Sequence, residues 1–362
     1  MKRALKIAIP FVVVGIIFFF AFPEIADFSK VWREIAAMSW IELVSLTAVA
    51  LLNLAAYWFV MMAALPGSNI WQTMKINQAS TAVANTVPGG GALGIGVMYG
   101  MYAGYGFSPT AIGLALLVAG IWNNFVKLGM PVIAIALLAV TAEVSGGILI
   151  AGVAGVLGLV VAVGLFAAML SSEQLARSVG AWLGRVISFA RRLVRKETTR
   201  DFGEATVRFR KEAISLVRHR WLYLTVASVV SHLSLYAVLV LALRHVGVSG
   251  AEVGWVEILA AFAFIRLISA LPITPGGLGV VELGLTAALV TAGGDRAEVV
   301  AAVLVYRALT YLLPIPIGLS MYLKWRTGSE ERRQNLEAHA SALSATTTNG
   351  DSELEKKFGF GL

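Results

Sequence analysis

Cysteine is absent from this 362-residue sequence, and its four histidines are scattered. Disulfide bonds and thiolate metal sites are therefore excluded, and no zinc site is expected. Charged residues are scarce at 14%, whereas apolar residues make up 58% and the mean hydropathy is +0.79. A soluble chain of this length would need far more polar surface to cover one or two domains. The composition therefore indicates an integral membrane protein.

Sequence signatures of catalysis and of nucleotide binding are also missing. The phosphate-binding pattern G-x-x-x-x-G-K-[ST] does not occur, so we do not expect this chain to use ATP itself. No paired carboxylates, no nucleophile with a neighbouring base and no metal-binding cluster are recognisable, and Glu282 is the one plausible general base. We therefore expect a protein that is not an enzyme and that uses no cofactor or metal.

The apolar residues fall into runs long enough to cross about 30 Å of hydrocarbon, for which a helix needs about 20 residues. The first run follows basic residues, as in a secretory signal peptide, but Ala21-Phe22-Pro23 does not provide a small-x-small cleavage site. We therefore expect it to be retained as a helix. Six full spans are predicted, at about Leu5–Phe22, Trp40–Leu65, Thr110–Val140, Ser145–Leu170, Trp221–Val246 and Val299–Tyr322.

The placement of basic residues predicts the orientation. Of the 29 Lys and Arg residues, twelve lie between Ser171 and Arg220, three in the first six residues, and six beyond Tyr322. Basic residues near the ends of membrane spans remain in the cytoplasm, so all three regions are predicted to be cytoplasmic. The chain is therefore predicted to be a plasma-membrane protein with both termini in the cytoplasm. Because this topology already explains the charge, no nucleic-acid partner is expected.

A Pro-Gly-Gly segment occurs twice within apolar sequence, in a first hinge (residues 88–94) and a second hinge (residues 275–279). Gly279 follows Gly94 by 185 residues, and the same offset relates Pro131 to Pro316. This match indicates an internal duplication. In a membrane protein, helices that are interrupted by Gly and Pro at corresponding places in two halves point to a substrate site near the bilayer midplane.

The charge distribution also predicts how each hinge enters the membrane. An even number of crossings must separate cytoplasmic regions, so Ile70–Phe107 is predicted to dip in from the cytoplasm and Gly254–Gly294 from outside. The predicted fold is an all-α polytopic membrane protein with inverted repeats, each containing a re-entrant hairpin, and about six full spans. The alternative is that Gly and Pro only kink ordinary spanning helices.

Four regions are predicted along the chain. Residues 1–170 are predicted to form the first transmembrane half, with its hairpin near 70–107. Residues 221–325 are predicted to form the second, with its hairpin near 254–294. Residues 171–220 are predicted to be a basic amphipathic linker on the anionic cytoplasmic leaflet. Residues 326–362, rich in Ser, Thr, Glu, Ala and Asn, are predicted to be a disordered cytoplasmic tail.

The candidate site favours an anion. A short helix beginning after either hinge would direct its free amides and the positive end of its dipole toward the membrane interior. Among ionisable residues within the spans, Lys127, Arg266 and Arg307 are basic, and Glu282 is the clearest acid. The candidate substrate-binding residues are Pro88, Gly89, Gly90, Gly94, Asn85, Asn123, Asn124, Lys127, Arg266, Pro275, Gly276, Gly277, Gly279, Glu282 and Arg307.

Each candidate also has a structural interpretation. Glu282 could be a charge at a helix N-terminus or an internal ion pair with Arg266 or Arg307. Amides such as Asn123 and Asn124 commonly form interhelical hydrogen bonds without any ligand. His232 repeats with serine and tyrosine on one helix face, a pattern that favours packing over chemistry.

The sequence from Leu271 to Glu282, followed by Tyr306-Arg307-Ala308-Leu309-Thr310-Tyr311, resembles the transmembrane region of the lysylphosphatidylglycerol synthase and flippase family, loosely over about residues 5–325. The resemblance implies that a phospholipid or polyprenyl-phosphate lipid is handled in a cleft between the repeats. The positions that carry over are Pro275, Gly276, Gly277, Gly279, Glu282 and Arg307.

The chain departs from that family in two respects. Many relatives place an acidic and a basic residue after the first hinge, where this chain has Ile95-Gly96-Val97-Met98-Tyr99. The soluble aminoacyl-transferring domain of the synthases has no counterpart in the sequence, so we do not expect synthase activity.

Three classes of function follow. The leading one is a lipid flippase or scramblase, which predicts a polar cavity between the hinges and anionic membrane lipids as partners. The second is a membrane subunit or enzyme of lipid-linked glycan or aminoacyl-lipid synthesis, working with a partner enzyme. The third is an ion-coupled transporter of small solutes with Glu282 as the coupling residue. A homo-oligomer is compatible with all three.

Overall fold

The computed structural model describes residues 28–87, 89–141, 146–175, 178, 202–269 and 274–328. These residues form helices joined by turns, and no strand occurs among them, which confirms the all-α prediction. The predicted span Leu5–Phe22, Pro88 of the first hinge, half of the basic linker and residues 329–362 of the C-terminal tail lie outside the described residues.

The described residues contain the ten α-helices α1 to α10, numbered in chain order. A 3₁₀ turn at Pro275–Gly277 lies between α8 and α9. A π-helical turn at Ala308–Leu312 follows α10 and leads into further helical residues, 314–328. The bounds are α1 Phe28–Ala37, α2 Trp40–Ala64, α3 Ile70–Thr86, α4 Gly90–Gly104, α5 Pro109–Thr141, α6 Gly146–Ser171, α7 Phe202–His245, α8 Trp255–Ile268, α9 Val280–Thr291 and α10 Arg296–Arg307.

Among the described residues, four segments are long and apolar enough to cross a membrane: Trp40–Ala64, Pro109–Val140, Phe209–His245 and Arg296–Gly328. They overlap four of the six predicted spans, which confirms a polytopic membrane protein. The predicted span at Ser145–Leu170 coincides with α6, whose apolar stretch Val153–Ala168 is shorter. Many large apolar side chains on these helices are exposed, as expected for surfaces that face lipid rather than water.

At one end of the helix bundle, here named the Trp40 end, lie the start of α2 and the end of α7. The turns before α8 and after α9, which flank the second hairpin, lie at the same end. His245 lies 2.9 Å from Ser45 Oγ and 3.7 Å from a Glu42 carboxylate oxygen. After α9, Gly293 packs so closely on the backbone of Glu252 that a Cβ would approach its carbonyl oxygen to 2.9 Å. Helices α8 and α9 therefore leave from and return to this end.

The opposite end, the Ala64 end, holds the start of α3 and the end of α4. Gly67, just before α3, lies against the Phe107 ring, which follows α4. Gly94 on α4 approaches α3 so closely that a Cβ would lie 2.9 Å from the carbonyl oxygen of Ser80. Glycine permits this contact because it has no side chain. Helices α3 and α4 therefore form a tight hairpin that begins and ends at the Ala64 end.

Tryptophans mark both ends of the bundle. Trp40 and Trp255 are 73% and 55% exposed at the Trp40 end, and Trp71 and Trp221 are 66% and 53% exposed toward the Ala64 end. Indole rings favour the level of the lipid head groups, where one part of the ring is in an apolar environment and the other is hydrated. The four side chains therefore indicate two membrane interfaces.

The apolar core is divided into two clusters. The Trp40-end cluster is formed by the first part of α2, the last parts of α5 and α7, and α8 to α10, with Leu46, Met130 and Leu239 as members. The Ala64-end cluster is formed by the last part of α2, α3, α4 and the first parts of α5 and α7, with Val60 and Ala115 as members. The middle of the long helices lies between the two clusters.

Candidate functional site

The second hinge is built from glycines in conformations that other residues rarely adopt. Gly276, Gly277 and Gly279 have φ angles of 56°, 71° and 82°. A Cβ on Gly276 would overlap the Tyr311 ring, so this position also needs glycine for space. The hinge lies between α8 and α9, and its positive φ angles cannot be part of a right-handed helix.

Glu282 and Arg307 form an ion pair beside this hinge. The Glu282 carboxylate is buried and accepts a 2.6 Å hydrogen bond from Gly279 N through one oxygen and a 2.6 Å bond from Arg307 Nε through the other. Arg307 also donates to Gly276 O at 3.2 Å. Both structural interpretations of Glu282 are therefore realised at once, as a charge at the helix N-terminus and as an ion pair with Arg307.

The two hinge regions are joined to each other by Asn85 and Tyr311. The Tyr311 hydroxyl donates to Asn85 O at 2.6 Å, and Asn85 Nδ2 donates to Tyr311 O at 3.1 Å. The Arg307 guanidinium lies 4.3 Å from the centre of the Tyr311 ring, within the range of a cation–π contact. Tyr311 belongs to the π-helical turn after α10, a local widening of the helix that is frequent at functional sites.

Two adjoining cavities lie at mid-height, between the two apolar clusters. The larger has a volume of about 610 Å³ and the smaller about 200 Å³. The larger is lined on α2 by Asn53 to Met61 and on α5 by Leu116 to Lys127, which are the middle parts of these helices. Its volume is within the range of ligand-binding pockets. Both cavities are lined by Asn85, Lys127, Leu235, Arg266 and Thr310.

The shared part of the two cavities is positively charged. Lys127 and Arg266 line both, and among the described residues neither forms an ion pair with a carboxylate. Arg266 Nε is buried and has no hydrogen-bond partner in the described part of the chain. The cavity linings, as far as the structure describes them, contain no Asp or Glu. The cavity therefore carries positive charge that no carboxylate among its described lining residues compensates.

The sequence matches a family model described as the lysylphosphatidylglycerol synthase transmembrane region, over residues 7–318. This range contains both hinges, the Glu282–Arg307 pair and all residues that line the two cavities. The chain belongs to the lysylphosphatidylglycerol synthase transmembrane-region family. This confirms the resemblance seen at the second hinge. A search of curated proteins finds no significant match to the chain.

In this family member, the structure brings seven of the candidate residues to the cavities. The larger cavity is lined by Asn85, Asn123, Asn124, Lys127 and Arg266. The smaller is lined by three of these together with Gly276 and Arg307. The three polar candidates on α5 thus share one face.

The other candidate residues are not found among the described residues that line the two cavities. Gly89, Gly90, Gly94, Gly277 and Gly279 shape the backbone of the two hairpins, and Glu282 is held by Arg307 and Gly279 rather than facing a cavity. Pro275 lies in the 3₁₀ turn, and Pro88 is outside the described residues. These positions hold the architecture around the cavity.

Sequence reasoning missed several polar residues of the cavity. His232, which the sequence pattern assigned to packing, is 4% exposed and lines the larger cavity. The available signal was the presence of amides and hydroxyls within predicted helices, where polar groups need a partner or a cavity. The missed polar lining residues are Asn53, Tyr57, Trp58, Asn77, Gln78, Ser80, Thr81, Ser231, His232, Ser269, Tyr306, Thr310 and Tyr311.

Proposed function

We propose that the protein translocates a lipid with an anionic head group between the two leaflets of the membrane. The observation that carries this proposal is the uncompensated positive charge of Lys127 and Arg266 in a polar cavity at mid-height of the spanning helices. A basic side chain at the centre of a lipid-exposed helix costs about 2.5–3.5 kcal/mol on insertion scales. A phosphate entering the cavity would offset that cost for two such residues.

We further propose that the two hairpins are re-entrant and belong to inverted repeats. Helix α8 begins 185 residues after α3, and the 3₁₀ turn before α9 begins 185 residues after α4. The two hairpins start from opposite ends of the bundle, which supports an inverted relation between the halves. Non-helical backbone at membrane depth persists only when it is buried in protein or faces a cavity. The second hinge has both properties.

In the proposed mechanism, the head group crosses through the cavity while its acyl or prenyl chains remain in the surrounding lipid. Lys127 and Arg266 bind the phosphate, and Asn85, next to the first hinge, lies in the same shared lining. The Glu282–Arg307 pair keeps the second hinge folded beside the site. Because this movement needs no bound nucleotide, net transport follows the lipid gradient unless a coupled ion or a partner supplies energy.

The proposal includes an orientation in the plasma membrane. The Ala64 end is assigned to the cytoplasm, since the basic segment between Ser171 and Arg220 precedes the membrane part of α7. Helix α7 has 44 residues and is about 66 Å long, so its first part extends well beyond the hydrocarbon on that side. Both chain termini are placed on the same side.

A reconstituted transport assay tests this function. Purified protein in liposomes with acyl-labelled fluorescent phosphatidylglycerol is compared with the variants Lys127→Met and Arg266→Met by dithionite quenching of the outer leaflet. The matched controls are Lys211→Met and Arg218→Met, which remove the same charges from exposed positions on α7.

The wild type and both controls are expected to accelerate the exchange of labelled phosphatidylglycerol between leaflets, relative to liposomes without protein. The two cavity variants are expected to lose at least about tenfold in rate, which corresponds to about 1.4 kcal/mol. Equal rates for the cavity variants and their controls would remove the cavity from the mechanism. The proposed function would be overturned by a correctly folded wild-type protein that moves no labelled phospholipid and is not stabilised by the polyprenyl-phosphate lipids tested below.

A further inference from the structure

We infer that the transported head group carries hydroxyl groups beside its phosphate, as a sugar phosphate or polyol phosphate does, and that it carries no ammonium group. This inference rests on the proposed function and specifies its substrate class. It follows from five residues that line the larger cavity. At these five positions, unpaired hydrogen-bond acceptors outnumber unpaired donors.

The first observation concerns four asparagines that line the larger cavity. Each of them donates an amide N–H to a backbone carbonyl: Asn53 to Ser231 O at 2.6 Å, Asn77 to Thr73 O at 3.0 Å, Asn85 to Tyr311 O at 3.1 Å and Asn124 to Gly120 O at 2.9 Å. Carbonyl oxygens only accept hydrogen bonds, so the chemistry of these contacts requires the amide nitrogen at each of these positions.

The amide oxygens of the same four asparagines are unpaired acceptors. Each oxygen has two lone pairs, and within the described part of the chain no residue donates a hydrogen bond to it. Asn53 has a second donor contact, to Ser234 Oγ at 3.3 Å, so both of its amide hydrogens are engaged. Asn77, Asn85 and Asn124 each keep one amide hydrogen, so unpaired lone pairs outnumber unpaired hydrogens at these four positions. A bound molecule that donates hydrogen bonds would satisfy them.

His232 adds a fifth acceptor. Its Nδ1 lies 3.0 Å from Ser228 O, which only accepts, so the ring hydrogen of the neutral form is on Nδ1. Its Nε2 is therefore a lone-pair acceptor, and it is buried without a hydrogen-bond partner among the described residues. The ring lines the larger cavity and is 4% exposed. An unsatisfied buried acceptor of this kind is costly unless a ligand or water donates to it.

Hydroxyls and ammonium groups could both supply hydrogens, and charge decides between them. Lys127 and Arg266 bring two positive charges to the lining, and the described lining contains no carboxylate that could balance a third. An ammonium group would be repelled in a site of reduced dielectric constant, whereas a neutral hydroxyl would not. An aminoacylated lipid therefore fits this cavity poorly, although such lipids are implied by the name of the family.

The two cavities suit the two parts of such a head group. Lys127 and Arg266 lie in the shared lining, which assigns the phosphate to the junction. Four residues with unpaired acceptors line only the larger cavity of about 610 Å³: Asn53, Asn77, Asn124 and His232. The hydroxyl-bearing part of the head group is therefore assigned to this larger cavity.

Selectivity among matched lipids tests the inference in proteoliposomes of the full-length protein. Labelled phosphatidylglycerol and phosphatidylinositol carry hydroxyls on a phosphodiester, phosphatidylmethanol carries the same charge without hydroxyls, and phosphatidylethanolamine and lysyl-phosphatidylglycerol carry ammonium groups. The polyol lipids are expected to move at least about tenfold faster than phosphatidylmethanol, and the ammonium lipids are expected to be slowest. Faster movement of the ammonium lipids would overturn the inference, as would equal rates for all these lipids together with equal stabilisation by the two polyprenyl lipids described below. Either result would leave lipid transport established.

The source of the polyol phosphate is distinguished in a second arm. Polyprenyl phosphate with and without an attached hexose is added to the protein in detergent, and thermal stability is measured. Either faster transport of the polyol phospholipids or larger stabilisation by the hexose-bearing lipid supports the inference, and the pattern identifies the source. Absence of transport together with absence of stabilisation by any lipid would overturn the proposed function itself.

A double variant, Asn77→Leu with Asn124→Leu, removes two acceptors whose donor bonds are made within their own helices. The preference for phosphatidylglycerol over phosphatidylmethanol is expected to fall to near one. The matched control is Thr47→Leu, since the Thr47 hydroxyl also bonds within its own helix but is exposed on the outside of α2. An unchanged preference in the folded double variant would contradict the assignment of the larger cavity.

Discussion

Tyr311 and Asn85 are joined by two hydrogen bonds, although 226 residues of sequence separate them. One bond runs from the tyrosine hydroxyl to the asparagine backbone carbonyl, and the other from the asparagine amide to the tyrosine backbone carbonyl. Tyr311 also packs against Gly276 and lies below the Arg307 guanidinium. The end of α3, the second hinge and the turn after α10 therefore form one connected unit beside the cavity.

Replacing Tyr311 with phenylalanine tests this connection. The ring is kept, but the carbonyl of Asn85 loses a buried donor, which costs about 1–3 kcal/mol. We expect a lower unfolding temperature in detergent for Tyr311→Phe and little change for Tyr99→Phe, whose side chain is 40% exposed. Equal unfolding temperatures for the two variants would show that the bond does not contribute to stability.

The Glu282–Arg307 pair predicts strongly non-additive stability effects. Glu282→Gln leaves the largely buried Arg307 guanidinium without its counter-charge, and loss of one partner of a buried pair costs about 3–5 kcal/mol. Arg307→Met is expected to be similarly destabilising. The double variant is expected to be less destabilised than the sum of the two single variants, as measured by unfolding of all four proteins. Additive losses would show that the two charges act independently.

Two glycines on α4 provide a matched pair. Gly94→Ala would place a Cβ 2.9 Å from the carbonyl oxygen of Ser80 and push α4 away from α3, whereas Gly96→Ala meets no atom within 4 Å. Gly96→Ala is expected to stabilise the protein by about 0.5–1 kcal/mol, since alanine favours a helix more than glycine does. Gly94→Ala is expected to lower the unfolding temperature and slow lipid transport. Equal behaviour of the two variants would argue against close packing of this hairpin.

The proposed re-entrant hairpins can be mapped by labelling, because the chain has no cysteine of its own. Pro66→Cys and Ser108→Cys flank the first hairpin, and Ala251→Cys and Thr291→Cys flank the second, all at exposed positions. In intact cells, an impermeant maleimide is expected to label only the second pair, and permeabilisation should be needed for the first. Labelling of the two flanks of one hairpin from opposite sides would show that it spans the membrane.

Much of the architecture could be predicted from the sequence by itself. The apolar runs predicted the helices α2, α5, α7 and the segment from α10 onward, because about 20 apolar residues are needed to cross the hydrocarbon. The glycines of the second hinge predicted a break between α8 and α9, because positive φ angles end a helix. The sequence pattern around this hinge also indicated the family. These features depend on residues that are neighbours in the sequence, so the sequence is sufficient to predict them.

Only the tertiary structure decided which residues meet at the site. Arg307, rather than Arg266, pairs with Glu282, and the chain order alone allows either partner. Asn53 and His232 reach one cavity because α2 and α7 pack along each other with particular rotations about their axes. Those rotations are set by side-chain packing over the whole bundle, and no local sequence pattern encodes them. The positive charge of the cavity and the meeting of its polar side chains are therefore properties of the assembled fold.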